Sequence, residues 1–326
     1  MKKRTIPVLL LGLACHAGVA QKPQRDTLSL TSKIHQIDEV VVTGARHETD
    51  VRHLSQTVSV VGRAQIESAL QLSLLPVLTE QVPGLFVTSR GTMGYGVSTG
   101  AAGGISLRGL SGGTARLMVM IDGHPQYAGI FGHPIADAYQ SFLAERVEVL
   151  RGPASVLYGS NAMGGVINIV TRKMQEDGVD THLHAGYGSY NTLETELTNR
   201  VRKGRFSSVV SGSYNRTDGH RTDMGFEQYG GYAKLGYEVA EHWNLRGDVN
   251  VTHFNASYPG PITAPLLDGD QRITRGVTSF AMENRYEKTS GAWSFSITGG
   301  TTGLTTDTLL LPERVRKMPA STPATT

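Results

Sequence analysis

Residues 145–170 read ERVEVLRGPASVLYGSNAMGGVINIV, and this stretch decides the fold. Its first seven residues alternate in side-chain character as a β-strand requires, and residues 166–170 resume as a second strand. Pro153 occupies a position typical of a first helical residue, and Gly159 a position at which a helix stops. The stretch therefore predicts a strand, a tight turn, one helical turn, a glycine-rich break and a second strand.

This run resembles the plug domain of TonB-dependent outer-membrane receptors, which import scarce nutrients with energy from the inner membrane. Two further segments, ISLRG at 105–109 and MIDG at 120–123, also resemble plug-family motifs. The resemblance implies an α+β plug over residues 50–175, with two loops, 91–104 and 123–134, that face the outside and help to form the floor of a ligand site. Within the plug the pattern predicts a helix over 72–81 and short strands over 57–61, 85–88, 105–108 and 117–122.

The composition fits such a receptor better than a compact enzyme. The formal charge of +3 is close to neutral and gives no case for nucleic-acid binding. Hydrophobic residues make up 39% of the chain, and its 39 glycines are about 12% against a usual ~7%. Low hydrophobicity with abundant glycine is typical of alternating membrane strands and a loop-rich plug.

Residues 1–20 are predicted to be a signal peptide. Basic residues at 2–4 precede a short apolar run over 6–14, and Ala20 ends a small-residue cleavage site. Export followed by insertion into the outer membrane is therefore the expected localisation. The alternative is a lipoprotein modified at Cys15, the only cysteine, although the residues before it fit that recognition pattern poorly.

A polar leader over 21–49 contains a segment that resembles the TonB box, the part of a receptor that pairs with the energising protein. An acidic pair, a β-branched run and a glycine follow one another there: Asp38, Glu39, Val40, Val41, Val42, Thr43 and Gly44. An isolated short strand has unpaired backbone groups and can add to the edge of a partner's sheet. The alternative is an ordinary first strand of the plug.

Residues 176–299 show long segments in which apolar and polar side chains alternate, about seven strands in all. This alternation over roughly ten residues is typical of an outer-membrane β-barrel, and tight turns alternate with the long connections 217–229 and 256–275. The prediction is an incomplete antiparallel transmembrane barrel after the plug; a soluble β-sandwich is the alternative. The outward, lipid-facing set comprises Leu197, Phe206, Val210, Leu235, Val249, Met282, Trp293 and Phe295. The inward set comprises Glu194, Glu196, Arg200, Lys234, Arg246, Asp248 and Glu283.

Alternation is lost after Thr298, and residues 300–326 read as an aberrant low-complexity tail. Seven strands cannot enclose a plug of this size, which needs a lumen of roughly 22 strands. We therefore expect a truncated copy of a receptor, with a complete small protein as the alternative.

Candidate ligand contacts lie in the two plug loops. Imidazole can bind a metal or haem, and aromatic rings can pack on a flat ligand. The candidates are Tyr95, His124, Tyr127, Phe131 and His133. The alternative is that both histidines are solvated loop residues.

Two plug arginines, Arg108 and Arg151, occupy motif positions that in the family pair with glutamates on the barrel wall. The resemblance therefore implies that they lock the plug to the barrel, with the barrel partners located late in the family's barrel and outside the strands present here.

The expected function is active uptake of an iron-siderophore complex, haem or cobalamin, with a TonB-type energising protein and outer-membrane lipid as the other partners. No resident cofactor or metal is expected. No enzyme class is supported, because the only nucleophile-elbow pattern, at 96–100, lies in a glycine-rich loop without the flanking strand and helix. The alternatives are a secreted or periplasmic binding fragment that consists of the plug alone, and a nonfunctional gene fragment.

Overall fold

The computed structural model describes twelve parts of the chain, all within the unit Glu39–Thr326. They are residues 41–42, 49–50, 57–69, 73–87, 93, 105–111, 117–126, 139–159, 162–260, 262, 269–286 and 289–305. The expected signal peptide over 1–20 and the expected tail beyond 305 lie outside these residues. No helix within them is long and apolar enough to cross a membrane.

The plug is a mixed α/β unit. In chain order its elements are β1 (Val41–Val42), β2 (Thr49–Asp50), β3 (Thr57–Gly62), α1 (Arg63–Ser68), α2 (Leu74–Gln81), β4 (Leu85–Val87), β5 (Ile105–Leu107), β6 (Leu110–Ser111), β7 (Leu117–Ile121), β8 (His124–Pro125), a 3-10 helix (Ser141–Leu143), β9 (Ala144–Arg151), α3 (Ser155–Tyr158) and β10 (Gly165–Thr171). Five strands form the main sheet in the order β3-β9-β10-β7-β8, in which only β7 and β10 run parallel.

Both faces of this sheet are buried, which explains why β7 is apolar at every position. Its odd-numbered side chains, such as Val119, join the larger core that α1 and α2 cover. Its even-numbered side chains, Met118 and Met120, join a second cluster on the other face with Leu150. A strand buried on both sides has no polar face, as expected for the centre of a covered sheet.

The stretch that decides the fold forms β9, α3 and β10 as predicted, with one correction. Pro153 is not the first helical residue, because Ala154 caps the helix and Ser155 begins it. The Ala154 N–H donates to the Ala162 carbonyl at 2.9 Å, so the chain completes its turn before the helix starts. Gly159 ends the helix at a φ of +88°, a conformation that glycine adopts without strain.

Several short plug elements were not predicted: α1, β6, β8 and the 3-10 helix. The β8 strand lies inside the segment expected to be a loop, 123–134. It pairs with β7 across a two-residue hairpin, in which Asp122 and Gly123 have φ values of +47° and +83°. An Asp-Gly pair with positive φ at both residues is the favoured chemistry of a type I′ hairpin turn, so the sequence did carry this signal.

After the plug, seven antiparallel strands follow one another as a meander. They are β11 (Gly178–Gly188), β12 (Thr192–Lys203), β13 (Phe206–Thr217), β14 (Phe226–Ala240), β15 (Trp243–Ser257), β16 (Asp270–Arg285) and β17 (Ser290–Thr305). Within the described residues, β11 pairs only with β12 and β17 only with β16, so the sheet is not closed into a barrel. The strand number agrees with the sequence prediction.

Strand β17 continues to Thr305, past the loss of alternation at Thr298 on which the expected boundary at 299 rested. Threonine and glycine there do not alternate in polarity, yet their backbone groups pair with β16 in continuous register from residue 270 onward. Backbone pairing therefore extends the strand further than side-chain pattern could show.

The two faces of the seven-stranded sheet differ in polarity as predicted. Leu235 is 53% exposed and Trp293 80%, whereas the side chain of Lys234, next to Leu235, is only 12% exposed. Among the predicted outward set only Met282 is partly covered, and among the inward set only Glu283 is more than a third exposed. The charged face therefore lies toward the plug, and the apolar face points away from it.

Gly165 begins β10 at a point where no side chain fits. Its φ is +148°, and a Cβ there would contact the Leu150 carbonyl oxygen and lie 2.7 Å from Leu107 Cδ2. We expect Gly165→Ala to lower the free energy of unfolding by about 2–4 kcal/mol, because strain and overpacking add. Urea denaturation of the whole chain measures this, with Gly299→Ala as the control, since nothing lies within 4 Å of a Cβ at that position. Equal stability of the two variants would contradict the expectation.

Candidate functional site at the plug–sheet contact

Strand β14 presents three successive inward positions to the plug: Gly230, Tyr232 and Lys234. They face inward because side chains alternate along a strand, and the residues between them point to the other face. Gly230 lies against Gln140 of the plug, whereas Tyr232 and Lys234 both reach Thr171. The inward edge of β14 is therefore the docking strand for the plug.

Lys234 makes the charged contact. Its Nζ lies 2.7 Å from Asp122 Oδ2 and donates to Thr171 Oγ1 at 2.6 Å. Thr171 in turn donates to Asp122 twice, from its backbone N–H at 2.9 Å and from its hydroxyl at 2.6 Å. Asp122 is 7% exposed at its side chain, so this is a buried ion pair with its hydrogen bonds largely satisfied.

Asp122 occupies the turn between β7 and β8, at the point where two parallel strands end together. Its N–H donates to the Ile169 carbonyl at 2.9 Å, and the Gly123 N–H donates to Asn168 Oδ1 at 3.1 Å. One carboxylate thus joins the ends of β7 and β10 to the inward face of the seven-stranded sheet, which is called the wall below.

The charge state of Asp122 follows from its surroundings. Burial raises the pKa of its carboxyl group, but Lys234 and Arg246, together with hydrogen bonds from Lys234 and Thr171, outweigh burial and hold that pKa well below its usual value. Asp122 is therefore a carboxylate at neutral pH. Its contribution to stability is complete above the ordinary aspartate pKa of about 4 and is lost as the pH falls through the lowered value.

Tyr232, between Gly230 and Lys234 on the inward face, makes both apolar and hydrogen-bond contacts. Its ring packs with Phe142, Leu143 and Val209 in one buried apolar cluster. Its hydroxyl donates to Thr171 Oγ1 at 3.2 Å, so the same side chain also reaches the charged network.

Gly230 forms a notch that receives Gln140 of the plug. Gln140 is 4% exposed, and its Oε1 accepts a hydrogen bond from Ser213 Oγ at 2.9 Å. A Cβ on Gly230 would contact Ser213 Oγ and lie 2.5 Å from Gln140 Oε1. The absence of a side chain at Gly230 is therefore what admits the glutamine.

His124 lies at the plug–sheet contact, near the charged side chains of Arg246, Asp248 and Glu283. It is 6% exposed, and its Nε2 has no hydrogen-bond partner within the described residues. Across from it, Arg246 pairs with Glu283 at 3.0 Å, and Asp248 accepts a hydrogen bond from Ser279. Burial lowers the pKa of His124, and Arg246 lowers it further; Asp248, Asp122 and Glu283 raise it, but by less.

Nearer the long connections, the inward face becomes apolar. Phe226, Phe254 and Ile273 form a buried cluster, and Met93 of the first plug loop packs against it. The inward face therefore ends in an apolar cluster near the long connections, and charged side chains lie between that cluster and the short turns, Arg275 at the level of Gly230 among them.

Of the five predicted ligand-contact residues, the structure describes only His124. Tyr95, Tyr127, Phe131 and His133 lie outside the described residues. His124, expected in an outward loop, is instead in β8 and buried at the plug–sheet contact. A two-residue hairpin turn returns the chain to the sheet there, which leaves no loop for His124 to occupy.

The role of Arg108 and Arg151 as lock residues stays a prediction, because the wall partners that the resemblance implies lie outside the strands present here. Arg108 is exposed, with its backbone N–H donating to the Gly84 carbonyl at 2.7 Å. Arg151 ends β9 with a buried Nε that has no hydrogen-bond partner among the described residues. In that part of the chain neither arginine forms an ion pair, and Lys234 with Asp122 provides the charged contact.

The TonB-box candidate is described only at Val41 and Val42. Their backbone forms β1 and pairs with Thr49 and Asp50 in antiparallel register. Asp38, Glu39, Val40, Thr43 and Gly44 lie outside the described residues.

Sequence reasoning placed both partners of the ion pair correctly without joining them. Alternation predicted that Lys234 faces inward, and Asp122 belonged to a recognised plug motif. The available signal was an Asp-Gly turn beside a single inward lysine. Within the described residues no group of three or more His, Cys, Asp or Glu side chains is arranged to hold a metal ion.

The lowered pKa of His124 predicts a pH dependence. The folded chain binds fewer protons than the unfolded chain between the lowered value and the ordinary histidine pKa of about 6.5. Stability is therefore complete above about pH 6.5 and falls as the pH is lowered below it. We expect His124→Gln to flatten the urea midpoint between about pH 7 and pH 5, above the range in which unperturbed carboxyl groups titrate. An equally steep midpoint profile in the variant would contradict this role.

Comparisons with known proteins find a family model and solved structures that are similar to this chain. Residues 50–166 match the family model described as the TonB-dependent Receptor Plug Domain. Among solved structures, the ferric yersiniabactin uptake receptor FyuA from Yersinia pestis matches with a TM-score of 0.63 at 19% identity, over 77% of this chain and 42% of that one. The alcaligin outer-membrane receptor FauA from Bordetella pertussis matches with a TM-score of 0.63 at 20% identity, over 82% of this chain and 42% of that one.

The ferric-catecholate import receptor Fiu from E. coli K12 is similar as well, with a TM-score of 0.61, 16% identity and coverage of 80% of this chain and 41% of that one. The chain thus spans less than half the length of these receptors. At such identities the likeness establishes the fold alone, and the family model covers about a third of the chain. Residues 50–166 match the TonB-dependent receptor plug domain, and the chain has a fold similar to part of these outer-membrane receptors.

Proposed function

We propose that this protein acts in TonB-dependent uptake of a scarce nutrient across the outer membrane. The observation that carries the proposal is the docking of the plug, through a buried ion pair, on the charged face of a sheet whose other face is apolar. A plug in contact with a polar wall suits a gated passage, and an apolar outer face suits lipid.

The outward aromatic residues support contact with the membrane. Tyr237, Trp243, Tyr286 and Trp293 lie near the short turns, and Trp243 Nε1 donates to the Tyr286 hydroxyl at 3.1 Å. Aromatic side chains with a polar edge are favoured where lipid meets water. This end of the sheet is accordingly proposed to lie at one interface of the outer membrane.

For the ligand, we propose an iron complex ahead of haem or cobalamin. Two similar receptors are named for a ferric ligand, ferric yersiniabactin in one case and ferric catecholate in the other. The proposed contacts are those of the two plug loops, with Tyr95, Tyr127, Phe131 and His133 as candidates; the buried position of His124 argues against its direct participation.

Ligand class is tested by titrating the full chain, in detergent, with ferric yersiniabactin, ferric enterobactin, haemin and cobalamin. We expect binding of a ferric complex with an affinity at least about tenfold above that of cobalamin, a difference of about 1.4 kcal/mol. Calorimetry measures it. Tighter binding of haemin or cobalamin would overturn the choice of ligand, and binding of none of them would count against the uptake proposal.

Strand addition by segment 38–44 to a TonB-type protein is the proposed route for energy. The backbone of Val41 and Val42 pairs as a strand with Thr49 and Asp50, so these two residues have the extended conformation that strand addition needs.

Val41→Pro should weaken that partner contact. Proline removes the N–H and fixes φ, so one ladder hydrogen bond is lost and the next is distorted; we expect at least about a tenfold loss of affinity. Binding of the periplasmic domain of a TonB-type protein to the full chain measures it. Val41→Thr is the matched control, because threonine is also β-branched and keeps the N–H. Equal affinity of both variants would exclude strand addition at this position.

A second candidate function, ligand binding without transport, is favoured by one observation. Strands β11 and β17 are not paired with each other in the described part of the chain. An unpaired backbone group costs several kcal/mol in lipid. The seven strands by themselves would therefore be poorly suited to form a transmembrane passage.

A further inference from the structure

The contacts along β14 change in kind from one end of the strand to the other. Gly230 lies toward Phe226 and the long connections, and its contact with Gln140 is neutral. Lys234 lies toward Ala240 and the short turns, and its contact with Asp122 is ionic. Because the neutral contact is weaker than the ionic one, the Gln140 contact can open while the Lys234–Asp122 pair stays closed.

The neutral contact is incompletely satisfied. Gln140 Oε1 accepts one hydrogen bond from Ser213, while Gln140 Nε2 is buried without a partner within the described residues. A buried amide without its partners is destabilised, and it gains hydrogen bonds when it reaches water. Leaving the notch therefore costs Gln140 little.

The ionic contact is held on several sides. Lys234 Nζ reaches both Asp122 and Thr171, and Thr171 makes two further hydrogen bonds to the same carboxylate. Separation of Lys234 from Asp122 would leave a buried charge on each side without its partner, which is among the most costly changes in a protein interior.

We propose that the plug opens in a fixed order, with Gln140 leaving the Gly230 notch first and the Lys234–Asp122 pair remaining as the pivot. For its use the inference rests on the proposed uptake function, since a ligand arriving on the side of the long connections would meet the Gln140 contact before the ion pair. The order of opening itself is a property of the chain without ligand or partner.

The notch is tested with a valine at position 230, which points toward the plug. A valine at the adjacent position 231, which points to the other face of the sheet, serves as the comparison. Gly230→Val places a side chain against Gln140, whereas a Cβ at Gly231 meets nothing within 4 Å, so Gly231→Val is the matched control. Valine suits a strand at both positions. Ser213→Ala is a second variant that removes the hydrogen bond to Gln140 without adding bulk.

Opening is measured by thiol alkylation of the full chain in detergent, with Cys15→Ser as the background. A cysteine at Thr252 reports on the notch, because Thr252 is buried and lies opposite Gly230 in register, and it leaves the Ser213 hydrogen bond intact. A cysteine at Val209 reports on the pivot, because Val209 lies opposite Lys234 in register.

We expect Gly230→Val to raise alkylation at position 252 about fivefold, the equivalent of one neutral hydrogen bond, and to leave position 209 unchanged. Ser213→Ala should have the same effect, and Gly231→Val should alter neither position. Lys234→Met should raise alkylation at both positions, by about 100-fold at position 209, because Asp122 is left as a buried unpaired charge. Combining Lys234→Met with Asp122→Asn should recover part of that loss, since neither charge remains.

Two results would overturn the proposal. One is a Gly230→Val chain in which positions 209 and 252 open together, which would indicate a single cooperative contact. The other is a Lys234→Met chain in which position 209 stays protected, which would show that Lys234 is no pivot. Neither result depends on ligand or TonB-type binding, so failure of the order and failure of the uptake function are distinguishable.

Discussion

The ion pair between Lys234 and Asp122 is the interaction on which the arrangement of plug and wall depends. It is buried, it is completed by Thr171, and it lies where the parallel strands β7 and β10 both end. A buried charge pair adds little net stability compared with apolar packing, but it penalises every arrangement that separates the partners. The pair therefore contributes chiefly to the specificity of docking.

The wall that receives the plug is shaped by the two-residue period of its strands. A shift of register by one residue would move Lys234 to the outer face and Leu235 to the plug. A shift in one direction would also bring Tyr229 to the notch, whereas a shift in the other would bring Gly231. One register thus fixes the apolar exterior and the charged contact together.

Sequence reasoning anticipated features that depend on local pattern. Alternation gave the number of strands and the side on which Lys234 lies, and the motif at 145–170 gave the order of β9, α3 and β10. It did not give the Lys234–Asp122 contact, because no local rule joins residues that are 112 positions apart. It placed His124 in an outward loop, whereas the tight turn at Asp122 and Gly123 returns the chain to the sheet. The lock role of Arg108 and Arg151 stays a prediction, because the resemblance places their partners late in the barrel, outside the strands present here.

The parallel pairing of β7 with β10 has a consequence for the order of folding. Each strand of the wall pairs with its neighbour in sequence, so the wall can form by successive local hairpins. The plug must first bring two distant strands side by side, and only then does the site for Lys234 exist. Contacts between segments so far apart form late, after the cost of closing the intervening chain has been met. Loss of the Lys234 contact would accordingly hasten unfolding more than it slows folding.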